Sequence, residues 1–292
     1  MPLFRKHDEA ATDSAAAAVP SVPGMGPLIR TILDMTANPQ FDTAAVKDHH
    51  GAESGDADAM IRQGASLLAE GRTAEATEAF RRAADAGSAV AMHNLAVLAV
   101  KAGDQEESRT WHRQAAERGY APSMVAVAFD AVDRNDLPEA EKWLGAAAEQ
   151  GDPTGMLVLG TLLLQSGRTA EAERWLRRAA DAGDASAMYN LAQLTEAGGR
   201  LPEAEQWYRR AAEADNPQAM NNLGNILSDT GRAADALEWY RRSAEAGEPM
   251  GMLNLGGMLE NSDAHQAAQW YRRAADAGLS RAADRLRRLQ GR

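Results

Sequence analysis

AMNNLGNILSDTGRAADALEWYRRSAEAGE, residues 219–248, contains the pattern that decides the fold. Met220, Leu223, Gly224 and Leu227 stand at i, i+3, i+4 and i+7, and beyond Gly231 the same intervals return with Ala236, Trp239, Tyr240 and Ser243. Apolar and small residues at that spacing form one stripe along an α-helix. Gly231 and Gly247 follow the two stripes, where a helix C-terminus favours a residue that accepts left-handed backbone. The stretch is two short helices, A and B, and one such pair cannot bury its stripes alone.

The rest of the chain repeats this unit. Met60, Met92, Met124, Met156, Met188, Met220 and Met252 are spaced by 32 residues, and Trp111, Trp143, Trp175, Trp207 and Trp239 keep the same interval, with Trp270 one residue early. A fixed period of this size marks a stacked array, so the repeat is the fold. Four residues after each Met the side chain is always small: Gly64, Ala96, Ala128, Gly160, Ala192, Gly224 and Gly256. Glycine inside a helix costs about 1 kcal/mol against alanine, so a close approach by helix B is expected there. Asp152-Pro153 and Asn216-Pro217 supply an N-cap followed by proline at the first helical position, and Pro138 and Pro202 serve two B helices similarly. Seven helix–turn–helix units over residues 57–280 follow, closed by a capping helix within 281–292.

These residues carry a family resemblance. The order small residue, Gly turn, Ala, aromatic pair, small residue resembles the tetratricopeptide repeat, and WYRRAAEA followed by AMNNLG is similar to its Sel1-like relative. The unit is two residues shorter than the usual tetratricopeptide repeat of about 34 residues. The resemblance implies an all-α, right-handed αα superhelical solenoid, with A helices lining a concave face and B helices outside. It also implies an interaction scaffold or adaptor that binds a peptide or helix in the groove.

The recurrent arginine pair, as in RWLRRAADAG from Arg174 and EWYRRSAEAG from Glu238, invites a reading as a phosphate grip. The helical wheel opposes it. With Ala236 at zero, Trp239, Tyr240 and Ser243 cluster beside it while Arg241 and Arg242 fall on the opposite half. Acids accompany the arginines at helical distance, as Glu173 to Arg177, Arg209 to Glu213, Glu238 to Arg242 and Arg241 to Glu245. The expected reading is a solvated outer face, with the tryptophans in the core.

Composition agrees. The chain has 292 residues, 45% of them hydrophobic, a formal charge of −11 and no Cys. An acidic balance weighs against nucleic acid or an anionic membrane as partner. Lack of Cys removes disulfides, thiolate metal sites and Cys nucleophiles, and suits a reducing compartment. With no secretory leader recognisable at the start and no apolar run of spanning length, a cytoplasmic protein is expected. There is no phosphate-binding glycine loop, zinc-binding H-E-x-x-H or nucleophile elbow, so neither enzyme activity nor a cofactor is expected.

By the resemblance, positions two and five after each Met face the groove. They read Asn94 and Val97, Ala126 and Phe129, Val158 and Thr161, Asn190 and Gln193, Asn222 and Asn225, Asn254 and Gly257. Units three and four thus offer an apolar patch centred on Phe129, with Val97 beside it, and units five to seven offer a row of amides. Asn side chains can clamp a peptide backbone with donor and acceptor, or bridge adjacent helices. Asn190, Asn222 and Asn254 match the asparagine of carboxylate-clamp tetratricopeptide proteins, but the basic partners of that clamp are missing. An acidic tail is therefore not the expected ligand.

Residues 1–26 read as a disordered tail. Residues 27–36, PLIRTILDMT, form a short amphipathic segment that either caps unit one or occupies the groove intramolecularly. Residues 37–56 are a polar linker whose His49 and His50 make a weak metal signal. Two alternatives to the peptide scaffold are a self-associating structural rod and a groove-based ligand sensor regulated by the N-terminal segment.

Overall fold

The computed structural model describes residues 55–291, within one compact unit, Pro39–Arg292. The expectations for the tail 1–26, the segment 27–36 and its docking, and nearly all of the linker 37–56 lie outside the described residues. Among the described residues there are fifteen α-helices and no strand. Repeat one is α1 (Gly55–Ala69) and α2 (Thr73–Asp85), and repeat two is α3 (Ala89–Ala102) and α4 (Gln105–Glu117). Repeat three is α5 (Ala121–Asp133) and α6 (Leu137–Glu149), and repeat four α7 (Pro153–Gln165) and α8 (Thr169–Asp181). Repeat five is α9 (Ala185–Ala197) and α10 (Leu201–Glu213), and repeat six α11 (Pro217–Asp229) and α12 (Ala233–Glu245). Repeat seven is α13 (Pro249–Leu259) and α14 (Ala264–Asp276), followed by the closing α15 (Ser280–Gln290).

Every helix packs on the next in sequence, and A helices also meet A helices of adjacent repeats, as α5 with α7, α7 with α9 and α11 with α13. B helices meet one another less, which puts the A row on the inside of the curve. The result is an all-α solenoid, as the periodicity requires.

The links are short because one residue does two jobs. After α11, Gly231 takes φ +80°, its N–H bonds the Ser228 carbonyl at 3.0 Å, and the Arg232 N–H bonds that of Leu227 at 2.8 Å. This pairing satisfies carbonyls the helix leaves free. Between repeats the residue that closes one helix caps the next. The Asp152 N–H bonds the Ala147 carbonyl at 3.1 Å while its carboxylate accepts from the Gly155 N–H at 2.6 Å, and Asp184 and Asn216 repeat the arrangement. Where glycine is absent, Asn135 and Asp215 take the positive φ, the residue types that tolerate it best.

The small position four after each Met is a seat for helix B. A Cβ on Gly224 would lie 2.6 Å from the Tyr240 ring, and one on Gly256 2.6 Å from that of Tyr271. Gly64 faces Phe80 and Gly160 faces Leu176 with the same closeness. In these four repeats the seated residue is the one after the tryptophan position, which Ala79 holds in repeat one, and His112, Leu144 and Tyr208 stand at the same place in the others. The tryptophans stand at the edge. Trp143 and Trp207 are buried, whereas Trp111, Trp175, Trp239 and Trp270 keep part of their surface exposed. This corrects the expectation of a uniform tryptophan core.

The arginine pair is outward, as the wheel requires, but it is not merely solvated. The second arginine lies over its own tryptophan: Arg178 on Trp175 at 4.6 Å, Arg210 on Trp207 at 4.3 Å, Arg242 on Trp239 and Arg273 on Trp270 at 4.4 Å. It also reaches back one repeat, Arg178 to the Ala148 carbonyl at 3.5 Å and Arg210 to that of Ala180 at 3.4 Å, at the C-termini of the preceding B helices. The first arginine and the turn arginine tie neighbouring repeats by ion pairs. Arg113 meets Glu139 at 2.8 Å and Arg177 meets Glu203 at 2.9 Å, while Arg200 meets Glu173 at 2.9 Å and Arg232 meets Glu205 at 2.7 Å. Of the intrahelical pairs anticipated above, Glu173–Arg177 forms at 2.9 Å. Arg209 instead takes Glu205, Arg241 takes Glu238 and Arg242 faces Asp215.

Candidate functional site

The A helices place the anticipated groove residues in two different settings. In repeats two to four Asn94, Val97, Phe129, Val158 and Thr161 are buried, Asn94 and Val158 completely and Phe129 to 8% exposure. Side chains this enclosed present no surface to a second molecule in this conformation. The apolar half of the sequence expectation thus falls on enclosed side chains, with Ala126 alone partly exposed among those positions. In repeats five to seven the same positions are open: Asn190, Asn222, Asn225 and Asn254 are partly exposed, and Gln193 and Gly257 exposed.

The open half is a connected polar row. Asn254 donates both amide hydrogens back to α11, to Asn221 Oδ1 at 2.9 Å and Asn225 Oδ1 at 3.1 Å. Asn225 also accepts from the Tyr240 hydroxyl at 2.8 Å. Asn221 donates to Asn222 Oδ1 at 3.1 Å, Asn222 to the Tyr208 hydroxyl at 3.3 Å, and Tyr208 to Glu196 Oε2 at 2.7 Å. Upstream, Gln193 donates to the Tyr189 hydroxyl at 3.0 Å, and Asn190 to Thr161 Oγ1 at 3.4 Å. The asparagines thus bridge adjacent A helices, one of the two roles left open by their spacing. They retain capacity for the other. An amide has two N–H donors and an oxygen with two lone pairs. The bonds above leave an N–H on Asn190 and Gln193, and the oxygens of Asn190, Gln193 and Asn254 uncommitted, whereas Asn222 gives its amide to Tyr208 and Tyr189.

The field along this row is negative. Burial raises the Tyr189 phenol above its ordinary value and the Tyr208 phenol well above it, and the carboxylates Glu248 and Glu196 reinforce the shift at Tyr189 while Glu196 does so at Tyr208. Tyr240 is raised by burial and then by Asp229. All three phenols therefore stay protonated as donors. The row suits neutral or basic peptide groups and disfavours carboxylates.

Asn221, Tyr189, Tyr208, Tyr240 and Glu196 belong to this row and were not among the residues anticipated from sequence. Tyr208 and Tyr240 carried a signal: each follows a tryptophan, and each hydroxyl reaches an asparagine on the next or same repeat's A helix. Among the described residues no three His, Cys, Asp or Glu side chains gather as a metal ligand set, and no helix is long and apolar enough to cross a membrane.

Comparison with known proteins places this architecture. Tetratricopeptide repeat models match residues 35–91, 128–187 and 157–219, and also 88–119 and 218–248, while a Sel1 repeat model matches 249–279. A search of the curated proteins found no match. Among solved structures, a protective antigen present in uropathogenic Escherichia coli strains, displaying an SLR fold, is 28% identical with a TM-score of 0.70 over 80% of this chain. The match covers 56% of that antigen's chain. A Sel1 repeat protein from Oxalobacter formigenes shares the fold at 22% identity and a TM-score of 0.62, covering 74% of this chain and 99% of the other. Pseudomonas aeruginosa pilF does so at 17% identity and 0.52, covering 74% and 96%. Repeats of this kind commonly mediate protein–protein interactions and are generally non-enzymatic. With the repeat models spread along more than half of its length, the chain belongs to the tetratricopeptide and Sel1-like repeat family.

Proposed function

We propose that this chain is an interaction scaffold that holds an extended, neutral or basic peptide segment of a protein partner along the A helices of repeats five to seven. One observation carries the reading: Asn190 and Gln193 are open to solvent and retain unspent hydrogen-bonding groups, with Asn222 and Asn254 partly exposed beyond them, whereas the equivalent side chains of repeats two to four are enclosed apart from the methyl of Ala126. Amides spaced one repeat apart on a rigid row can meet successive backbone groups of an extended chain. Glu196 and Glu248 favour Lys or Arg in that chain and oppose an acidic tail. The proposed contact set is Asn190, Gln193, Asn222, Asn225 and Asn254.

The test begins with capture of partners by the full chain and their identification by mass spectrometry. Affinity is then measured against the wild type and the triple variant Asn190→Ala, Gln193→Ala, Asn222→Ala. A loss of at least about tenfold, some 1.4 kcal/mol, is expected with the thermal midpoint little changed. Equal affinity for a well-folded triple variant overturns the reading.

A further inference from the structure

His112 is the polar exception in the seat behind the tryptophan. Six other repeats fill it with Phe80, Leu144, Leu176, Tyr208, Tyr240 and Tyr271. Ser123 is a second exception, at a position held by Ala91, Gly155, Ala187, Ala219 and Gly251 elsewhere. The structure brings these exceptions together. His112 Nδ1 on α4 lies 3.1 Å from Ser123 Oγ on α5, and His93 Nδ1 on α3 lies 3.0 Å from the same oxygen. Ser123 is fully buried, the two imidazole centroids are 5.3 Å apart, and the Tyr120 ring stands edge-on to His93 at 5.1 Å.

A serine hydroxyl has one proton. It donates to one ring and accepts from the N–H of the other, which fixes two neutral imidazoles in complementary tautomers. A first proton on the cluster must be held in a partly buried seat shared with Ser123, and a second would set two cationic rings 5.3 Å apart. The groups facing His112 are His93 from α3, and Ser123 from α5. Tyr120, which precedes α5, faces His93. The nearby charges of α4 and α5, Arg109 and Asp130, are paired with each other at 2.8 Å. Burial, and then the neighbouring His93, pull the His112 imidazole down to about 3.

We propose that the His93–Ser123–His112 cluster makes the joint between repeats two and three acid-sensitive, so that mild acidification loosens α4 and α5 there while the other joints hold. The sign follows from linkage. His112 binds a proton readily when the joint is open, near the ordinary histidine value of about 6.5, and poorly when it is closed. Closure is therefore at full strength above about 6.5 and weakens as pH falls below it, by up to about tenfold in the opening equilibrium per pH unit. This adds a regulated hinge to the solenoid and is independent of the binding role proposed for repeats five to seven.

Hydrogen exchange of the full chain at pH 7.5 and 5.5, corrected for intrinsic rates, tests it. In the wild type, amides of α4 and α5 are expected to lose protection by about tenfold at the lower pH while those of α11 and α12 change little. In His112→Leu, which installs the residue type of repeats three and four, that selective loss should vanish. His112→Tyr, the residue type of repeats five to seven, provides a second variant should the first pack poorly. Equal loss in the wild type and the folded variant, loss spread evenly over all repeats, or no loss in the wild type overturns the proposal.

Discussion

The residue after each tryptophan carries more of the packing than the tryptophan itself. Tyr208 and Tyr271 are fully buried and Tyr240 nearly so, each in a seat made by a small residue on helix A. Trp207, at 6% exposure, is itself enclosed beneath Arg210, while Trp239 is partly exposed. Trp207→Ala is therefore expected to cost about 3–5 kcal/mol in urea denaturation, and Trp239→Ala clearly less. Equal costs would contradict the edge placement. At the seat, Gly224→Val puts a branched side chain against the Tyr240 ring and should cost about 1–3 kcal/mol by the same measurement. Alanine is milder, because Ala192 holds the same position in repeat five. The small position was legible in the sequence from its strict recurrence. Its occupant was misassigned in part, because Trp and the residue after it lie close on the helical wheel and only the approach of helix A separates them.

At the scale of the element, the A helices that follow Asp152, Asp184 and Asn216 begin at the caps the sequence signals, whereas four B helices begin after Arg72, Arg168, Arg200 and Arg232 with no side-chain cap. Glycine or Asn/Asp at positive φ, and Asp or Asn at the N-cap, are local chemistry that needs no tertiary context. Asp152 caps α7 through the Gly155 N–H, so Asp152→Ala should lower stability by about 1 kcal/mol, read as a shift of the thermal midpoint. The ion pairs were less legible. A reading confined to i, i+3 and i, i+4 misses Arg177–Glu203 and Arg232–Glu205, whose partners are 26 and 27 residues apart and meet only because repeats stack at this period. Glu205, held by Arg232 and then Arg209, is lowered to about 2. Its folded value lies below the ordinary carboxylate value of about 4.3, so its contribution is complete above that pH and is lost as pH falls toward 2. Glu205→Gln should cost roughly 1 kcal/mol at pH 7, given partial solvent screening, and the gap to wild type should close by about pH 2. A gap that persists at low pH would assign the effect to packing instead.

For the whole molecule, the fold was open to sequence reading because each repeat writes the same local pattern and contacts mainly its neighbours. The groove was only half open to it. Asn94 and Asn254 hold the same position in their repeats, yet one is enclosed and the other partly exposed, since exposure at a groove position depends on what surrounds it rather than on its own helix. Where the amides are open, the fold supplies a rigid, negatively biased row of donors and acceptors, and the proposed role as a peptide scaffold rests on it. A photo-reactive residue placed at position 193, on that row, and separately at position 174, on the exposed face of α8, tests this most directly. The account predicts that the captured partner crosslinks through an extended segment at 193 and not at 174. Crosslinking at 174 alone, or equally at both positions, would contradict it.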